Sequence, residues 1–241
     1  MKNKKVAILQ SNYIPWKGYF DIIAAVDEFI LYDDMQYTRR DWRNRNKIKT
    51  PQGLKWLTVP VRVKGKYHQL IQETEIDGTD WAEIHWKSIK QNYSRARNFD
   101  AVAAIFEPLY LQRHYTHLSV LNRVFIEAVC KYLGITTTIS NSWDYDLIEG
   151  KTERLVDLCR QAGGGHYISG PAAKDYIQTD LFDEAGIELS WMDYSGYPEY
   201  EQQYPPFVHG VTILDLLFHV GPNAPWYVWG WRSSDGFREK Y

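Results

Sequence analysis

Apolar and polar positions along the chain name most of its elements. Residues 6–10, Val-Ala-Ile-Leu-Gln, form a short unbroken apolar run with a β-branched start, as a buried strand does. A loop containing Pro15 and Gly18 follows, and apolar residues then recur at helical spacing over 19–26. Residues 29–32, Phe-Ile-Leu-Tyr, are a second buried strand, ending at Asp33 and Asp34. Strand, loop, helix, strand opens a parallel sheet, whose crossover must be right-handed. Such sheets bind ligands outside the carboxyl ends of their strands. The 10–18 loop and the 33–37 segment therefore lie where chemistry is expected.

The middle of the chain is mixed. Residues 56–63 (WLTVPVRV) read as a strand, with Pro60 pointing to an edge or bulge, and 70–76 as a strand antiparallel to it. A helix is predicted over 80–93, N-capped by Asp80, and a second over 101–106 that Pro108 breaks. A long helix over 115–133 stops at Gly134. Strands at 136–140, 166–169 and 187–192 then alternate with helices at 152–162 and 176–185, the first of these ended by Gly163–Gly165. A Tyr/Pro-rich stretch over 194–207 reads as an ordered aromatic loop, 212–219 as an apolar helix, and 221–231 as a Trp-rich tail. The expected fold is one α/β domain over 1–241, with a parallel-sheet, Rossmann-like core and a mixed α+β insertion near 55–110.

Composition narrows the classes. At 241 residues with 44% hydrophobic and 24% charged side chains, the chain is globular, not disordered. Its formal net charge of -2 argues against a generally basic nucleic-acid binder and leaves room for a local basic patch. Cys130 and Cys159 are too few for a disulfide framework or a four-cysteine zinc site, and read as buried thiols of a reducing cytoplasm. No apolar run is long enough to span a membrane. No metal is predicted: His114 and His117 share a helix face, but no third ligand accompanies them.

Five constellations carry candidate chemistry. The loop Gln10-Ser11-Asn12-Tyr13-Ile14-Pro15-Trp16-Lys17-Gly18-Tyr19 occupies the strand-to-helix position where nucleotidyltransferases place H-x-G-H. Here that position reads Trp16-Lys17-Gly18-Tyr19, without either histidine, which weakens adenylyl transfer and leaves Lys17 as a phosphate contact. Asp33 and Asp34, with Tyr37 behind them, offer a general base or a cation ligand. From Arg39 to Lys49 six cationic side chains surround one carboxylate, with Trp42 as a stacking face. Arg43, Arg45, Asn46 and Lys47 suit a diphosphate, a carrier's phosphate or an RNA strand. His85 and Tyr93 share one helix, and Ser169-Gly170 close a predicted strand. Neither a G-x-S-x-G elbow nor a P-loop nor a G-x-G-x-x-G fingerprint is present.

The run QSNYIPWKGYFDIIAAVDEFILYDDMQYTRRDWRNRNKIK resembles the opening of the WbqC-like family. WLTVPV, THLSVLNRVFIEAVCKYLGI, KTERLVDLCRQAGGGHYISGPAAKDYI and FVHGVTILDLLFHVG extend the resemblance over most of the chain. The chain departs from the family at Ser11, where proline is usual, and at His219, where asparagine is common. The resemblance implies a role in bacterial surface-polysaccharide or O-antigen clusters. The expected task is a tailoring transfer of an acyl or aminoacyl group to the amine of a nucleotide-linked sugar. Coenzyme A, a carrier protein or an aminoacyl-tRNA would be the donor. In that reading Asp34 or His85 is the base and Asn12 and Ser169 orient polar groups. Tyr13, Trp16 and Tyr19 wall the site, with Gln10, Lys17, Asp33, Tyr37, Tyr93 and Gly170 beside them. Arg43, Arg45 and Lys47 meet phosphate. A homo-oligomer, a nucleotidyltransferase and a non-catalytic sugar-nucleotide binder or scaffold stay open as alternatives.

Overall fold

A computed structural model describes residues 3–235 of the chain. Its core is a five-stranded sheet of β1 (Lys5–Leu9), β2 (Glu28–Leu31), β5 (Thr138–Asn141), β6 (His166–Ser169) and β7 (Glu188–Trp191), in the order β5-β2-β1-β6-β7. Every pairing is parallel. A parallel sheet carries helices on both faces, and alternate side chains serve each. Ala7, Phe29, Leu31 and Ile168 face α1 (Lys17–Ala24), α4 (Leu118–Leu133) and α7 (Ile213–Val220). Val6, Ile8, Ile30 and Tyr167 face α5 (Thr152–Gln161) and α6 (Thr179–Glu184). The expected Rossmann-like α/β core is present. From β1 the chain winds outward through β2 to β5, then crosses to β6 and β7 on the other side. The switch point therefore lies between the carboxyl ends of β1 and β6.

One close approach needs glycine. A Cβ on Gly164 would sit 2.6 Å from Val6 Cγ2 and 2.7 Å from Cys159 Sγ, so α5 and β1 come together there only without a side chain.

The crossover from β2 to β5 is long and differs from the expectation. It contains a hairpin of β3 (Arg45–Thr50) and β4 (Gly53–Thr58), then α2 (Trp81–Tyr93) and α3 (Phe99–Leu111). The strand expected over 56–63 ends at Thr58, and that expected over 70–76 is reduced to isolated bridges. The second half of the cation-rich run, from Arg45 onward, is the first strand of the hairpin. In β3, Asn46 and Ile48 are buried, while Arg45 and Lys47 are half-buried. The strand alternates with a polar residue and one aliphatic on its inner side. Such a strand has a weak hydrophobic signature.

Helix α3 runs through Pro108, because the buried face of Phe106, Leu109 and Tyr110 outweighs one lost backbone bond near its end. Asp80 stands at the N-cap of α2 without a side-chain capping bond. Gly134 ends α4 at φ 73, in the left-handed region, as expected. In the tail, Trp229 packs against the core while Trp226 remains 47% exposed. No helix among the described residues is long and apolar enough to cross a membrane.

Candidate functional site

The loop after β1 is held on every side. Ser11 N–H donates to Asp33 Oδ1 (2.8 Å) at the end of β2, and Asn122 of α4 donates to Ser11 Oγ and to the Arg43 carbonyl, each at 2.9 Å. Tyr13 N–H reaches the Trp42 carbonyl at 3.0 Å. From β3, Asn46 Nδ2 donates to the carbonyls of Tyr13 (3.1 Å) and Ile14 (2.7 Å). Ile14 has φ 36, a left-handed conformation that a β-branched residue resists by about 1–3 kcal/mol. The two bonds from Asn46 offset that cost. At the far end Ile213 N–H, in the first turn of α7, donates to the Pro15 carbonyl at 2.8 Å.

This loop walls a cavity of about 310 Å³ lined by Asn12, Pro15, Trp16, Trp42, Asn46 and Gly210. Trp16 folds back over α1: a Cβ on Gly18 would lie 2.3 Å from its indole, so glycine is required there. Tyr194 and Tyr197 meet the indole edge-on at ring distances of 5.3 and 5.9 Å. Arg43 donates to Asn12 Oδ1 and lies 3.6 Å from Asp41. Asn46 is spent on the backbone, since its Oδ1 also accepts Lys47 N–H at 2.8 Å. The cavity is thus apolar-walled, with Asn12 as its polar corner and Arg43 held to the Asn12 side-chain oxygen.

Outside the cavity the cations part company. Trp42 and Trp56 pair at 5.3 Å and are 41% and 38% exposed. The Arg45 guanidinium lies 4.0 Å above the Trp56 ring, and Lys47 Nζ lies 4.7 Å from Trp56 and 5.5 Å from Trp42. Lys49 is buried, donating to Gln202 Oε1 (2.9 Å) and to the Pro206 carbonyl. One basic run thus supplies a partner for Asn12 of the cavity, an outer ledge and a buried tie.

Several expected site residues lie elsewhere. Neither Asp34 nor His85 faces the cavity. Both Asp34 oxygens are engaged, one by Ser142 Oγ and the other by Gln72 Nε2 at 2.6 Å. His85 is buried, its Nδ1 2.9 Å from the Tyr13 hydroxyl, which also meets Tyr110 at 2.8 Å. Burial drives its pKa down to about 4, against a backbone bond with Thr58. Tyr13, Tyr19 and Tyr93 are core residues, the second donating to the Gln10 carbonyl at 3.0 Å. Tyr37 is buried against the 69–71 segment, with its phenol pushed up to about 12 by burial. Lys17 turns away into the aromatic loop, donating to the Pro198 carbonyl (3.2 Å) above the rings of Tyr197 and Tyr200. Burial lowers its pKa to about 8, although Asp21 and Glu199 pull the other way. Gln10, Ser169 and Gly170 sit at the switch point, where a Cβ on Gly170 would lie 3.9 Å from the Tyr194 hydroxyl. Trp16 touches Tyr194 and also lines the cavity, so it joins the two places.

Asp33 is the buried carboxyl beneath the loop. Its Oδ2 has no hydrogen-bond partner among the described residues, and burial raises its pKa above the ordinary 3.8. A raised acid pKa means that the native state binds the proton more tightly than the unfolded chain. Stability therefore falls as pH rises from 3.8 through the raised value. Asp33→Asn removes that loss and puts a donor in place of the orphaned oxygen. The variant should melt above the native protein at pH 7–8, with the gap narrowing as pH approaches 4. An equal gap at all pH values would refute the assignment.

Sequence reasoning named Trp42 as a stacking face but omitted Trp56, Gly210 and Asn122. Trp56 lay within a stretch read as an edge strand. Gly210 comes from a distant segment, and nothing in its neighbourhood marks it. Among the described residues no group of three or more His, Cys, Asp or Glu side chains could hold a metal ion.

The profile of the WbqC-like protein family matches residues 10–227. A protein of Mycobacterium tuberculosis, the uncharacterized Rv1507c, is 59% identical over 225 residues, covering 93% of this chain and 97% of that one. No solved structure matches significantly. The chain belongs to the WbqC-like protein family.

Proposed function

We propose that this protein is a tailoring transferase of bacterial surface-polysaccharide assembly, acylating or aminoacylating the amine of a nucleotide-linked sugar. The observation that carries the reading is the cavity between Trp16 and Trp42 at the end of β1. Indole walls suit the apolar face of a sugar ring, and the few polar groups of such a site fix its orientation. Asn12 Nδ2 has no partner among the described residues and points the site toward a carbonyl or hydroxyl oxygen. Arg43 brings positive charge for the diphosphate. The switch point at Gln10 and Gly170 lies where open α/β sheets take ligands, and Tyr194 stands between it and Trp16.

The transfer requires a free amine, because only the neutral nitrogen attacks an acyl carbon. The nitrogen–carbon bond forms, the donor's carbon–sulfur or carbon–oxygen bond breaks, and the amine proton leaves with the departing group. Neither Asp34 nor His85 is placed to take that proton. Here the protein contributes mainly by positioning, which by itself is worth several kcal/mol of barrier, of order 7–11 in well-aligned cases.

Thermal unfolding with nucleotide-linked amino sugars tests the reading. A ligand at about a hundred times its dissociation constant adds about 2.7 kcal/mol. Asn12→Ala removes the free amide and the acceptor that holds Arg43. It should weaken binding at least tenfold, about 1.4 kcal/mol. No shift with any nucleotide-linked sugar overturns the reading, as does an undiminished shift in Asn12→Ala. A shift confined to nucleoside triphosphates, with pyrophosphate release, points to a nucleotidyltransferase. Binding without turnover points to a scaffold.

A further inference from the structure

The outer face of the β3–β4 hairpin differs from the cavity in its chemistry. In an antiparallel pair, directly opposed residues share a face, so Lys47 and Trp56 lie on one side and Asn46 and Leu57 on the other. Asn46 and Leu57 are buried toward the loop and core, whereas Trp56 is 38% exposed under Arg45 and Lys47. Trp42, 41% exposed, belongs to both this ledge and the cavity wall. The Arg45 guanidinium also donates to the Arg40 carbonyl, and exposed indoles beside cations that no carboxylate neutralises suit a ring system carrying phosphate. Arg45 and Lys47 have no carboxylate partner among the described residues. Arg43, by contrast, is committed to Asp41 and to Asn12, which lines the cavity. The two cation groups are therefore separate phosphate positions.

We propose that this ledge is the donor subsite: it binds the adenosine-phosphate end of a coenzyme A thioester, with the adenine on Trp56 and Trp42 and the phosphates on Arg45 and Lys47. The inference rests on the transferase reading and extends it to the second substrate. Two indoles and two cations accommodate a single nucleotide. An RNA strand would need a basic track over several phosphates, and the net charge of -2 does not supply a broad one. With the nucleotide on the ledge, the pantetheine arm leads past Trp42 to the cavity. There the sugar amine attacks the thioester carbon, the nitrogen–carbon bond forms, the carbon–sulfur bond breaks, and the sulfur leaves with the amine proton.

Coenzyme A itself is the probe, titrated calorimetrically into the full-length protein. Binding should be seen with the native chain and weakened at least tenfold by Trp56→Ala and by Arg45→Ala. Trp226→Ala, at an indole that is 47% exposed on α8 (Ala224–Val228), should leave it unchanged. All three variants should keep the thermal shift given by the nucleotide-linked sugar, which reports that they are folded and that the acceptor site is intact. Phosphopantetheine lacking adenosine should bind at least tenfold more weakly than coenzyme A. Equal binding by native and Trp56→Ala overturns the proposal. So does a native chain that binds the nucleotide-linked sugar but not coenzyme A, an outcome that leaves the transferase reading standing. Binding of a single-stranded RNA ending in adenosine, with none of coenzyme A, also overturns it, in favour of an RNA-borne donor. Loss of sugar binding with coenzyme A binding intact overturns the transferase reading and leaves the ledge assignment in place.

Discussion

Replacing Asp215 with alanine should destabilise the protein by about 4 kcal/mol or more, the largest loss expected of any single substitution considered. Asp215 lies in α7 and is fully buried. Its carboxyl accepts from the Tyr93 hydroxyl at 2.8 Å, the Tyr200 hydroxyl at 2.5 Å and Gln202 Nε2 at 2.7 Å. Alanine would leave these donors facing a void, and each buried group without a partner costs about 1–3 kcal/mol. Asp215→Asn keeps one acceptor oxygen and nearly the same volume, so about 1–2 kcal/mol is expected. The cluster also ties the aromatic loop to the site. Gln202 Oε1 takes Lys49 Nζ, and the Tyr93 hydroxyl accepts Lys49 N–H at 2.9 Å, so α2, β3, α7 and the loop meet at one point. Gly210 lies in the same connection and lines the cavity. Asp215→Asn should therefore weaken ligand binding more than its modest stability loss suggests. Urea unfolding of both variants at pH 7 checks the energetic order. An alanine cost below about 2 kcal/mol would mean that the network carries little stability.

His219 illustrates how much of this was open to sequence reasoning. Its Nε2 accepts Gln203 N–H at 3.1 Å, so its Nδ1 carries the proton donated to the Asp215 backbone carbonyl at 2.6 Å. An asparagine, which the resemblance leads one to expect at this point, also presents one acceptor and one donor. Both residue types can thus serve one acceptor and one donor, a likeness that shows only once the partners of His219 are known. Ser11 is the opposite case, because its N–H serves Asp33 and a proline would have none to give. By contrast β1, β2 and the helix between them were legible, because buried parallel strands are continuous apolar runs. The aromatic loop over 194–207 was read as ordered, and it is pinned: Tyr197 donates to Asp21 Oδ2 at 2.5 Å, and Arg232 pairs with the same oxygen at 2.7 Å. The hairpin was missed because one strand is built of Arg, Asn and Lys with a single isoleucine. Asp34 and His85 were chosen for what they are, a carboxylate and an imidazole. Their surroundings, two donors around one and a sealed core around the other, decide what they do.

Acidification should therefore weaken the fold through His85 before most carboxylates titrate. The imidazole is 4% exposed, packed by Trp81 at 5.4 Å and Tyr13 at 5.7 Å, and its pKa falls from 6.5 to about 4. Burial is the main cause, and Lys55 adds a smaller push in the same direction. A histidine whose pKa is lowered on folding takes up its proton more readily in the unfolded chain. Between pH 6.5 and about 4 the unfolded state thus binds more protons, and stability falls as pH falls. The full drop is about 3 kcal/mol, from roughly 1.4 kcal/mol per unit of pKa. His85→Gln cannot titrate, yet it retains a donor and an acceptor for Tyr13 and Thr58. It should be less stable than the native protein at pH 7, by about 1–2 kcal/mol of altered packing, and lose less on acidification. Carboxylates titrate in both proteins and cancel in the difference, so the gap between the two unfolding free energies isolates the imidazole. That gap should close, and then reverse, between pH 7 and 4.5. Parallel curves would show that His85 titrates alike in both states. Because Tyr13 carries the loop that walls the cavity, ligand affinity should decline over the same interval in the native protein and hold longer in His85→Gln. The histidine would then influence binding from inside the core, without touching the ligand.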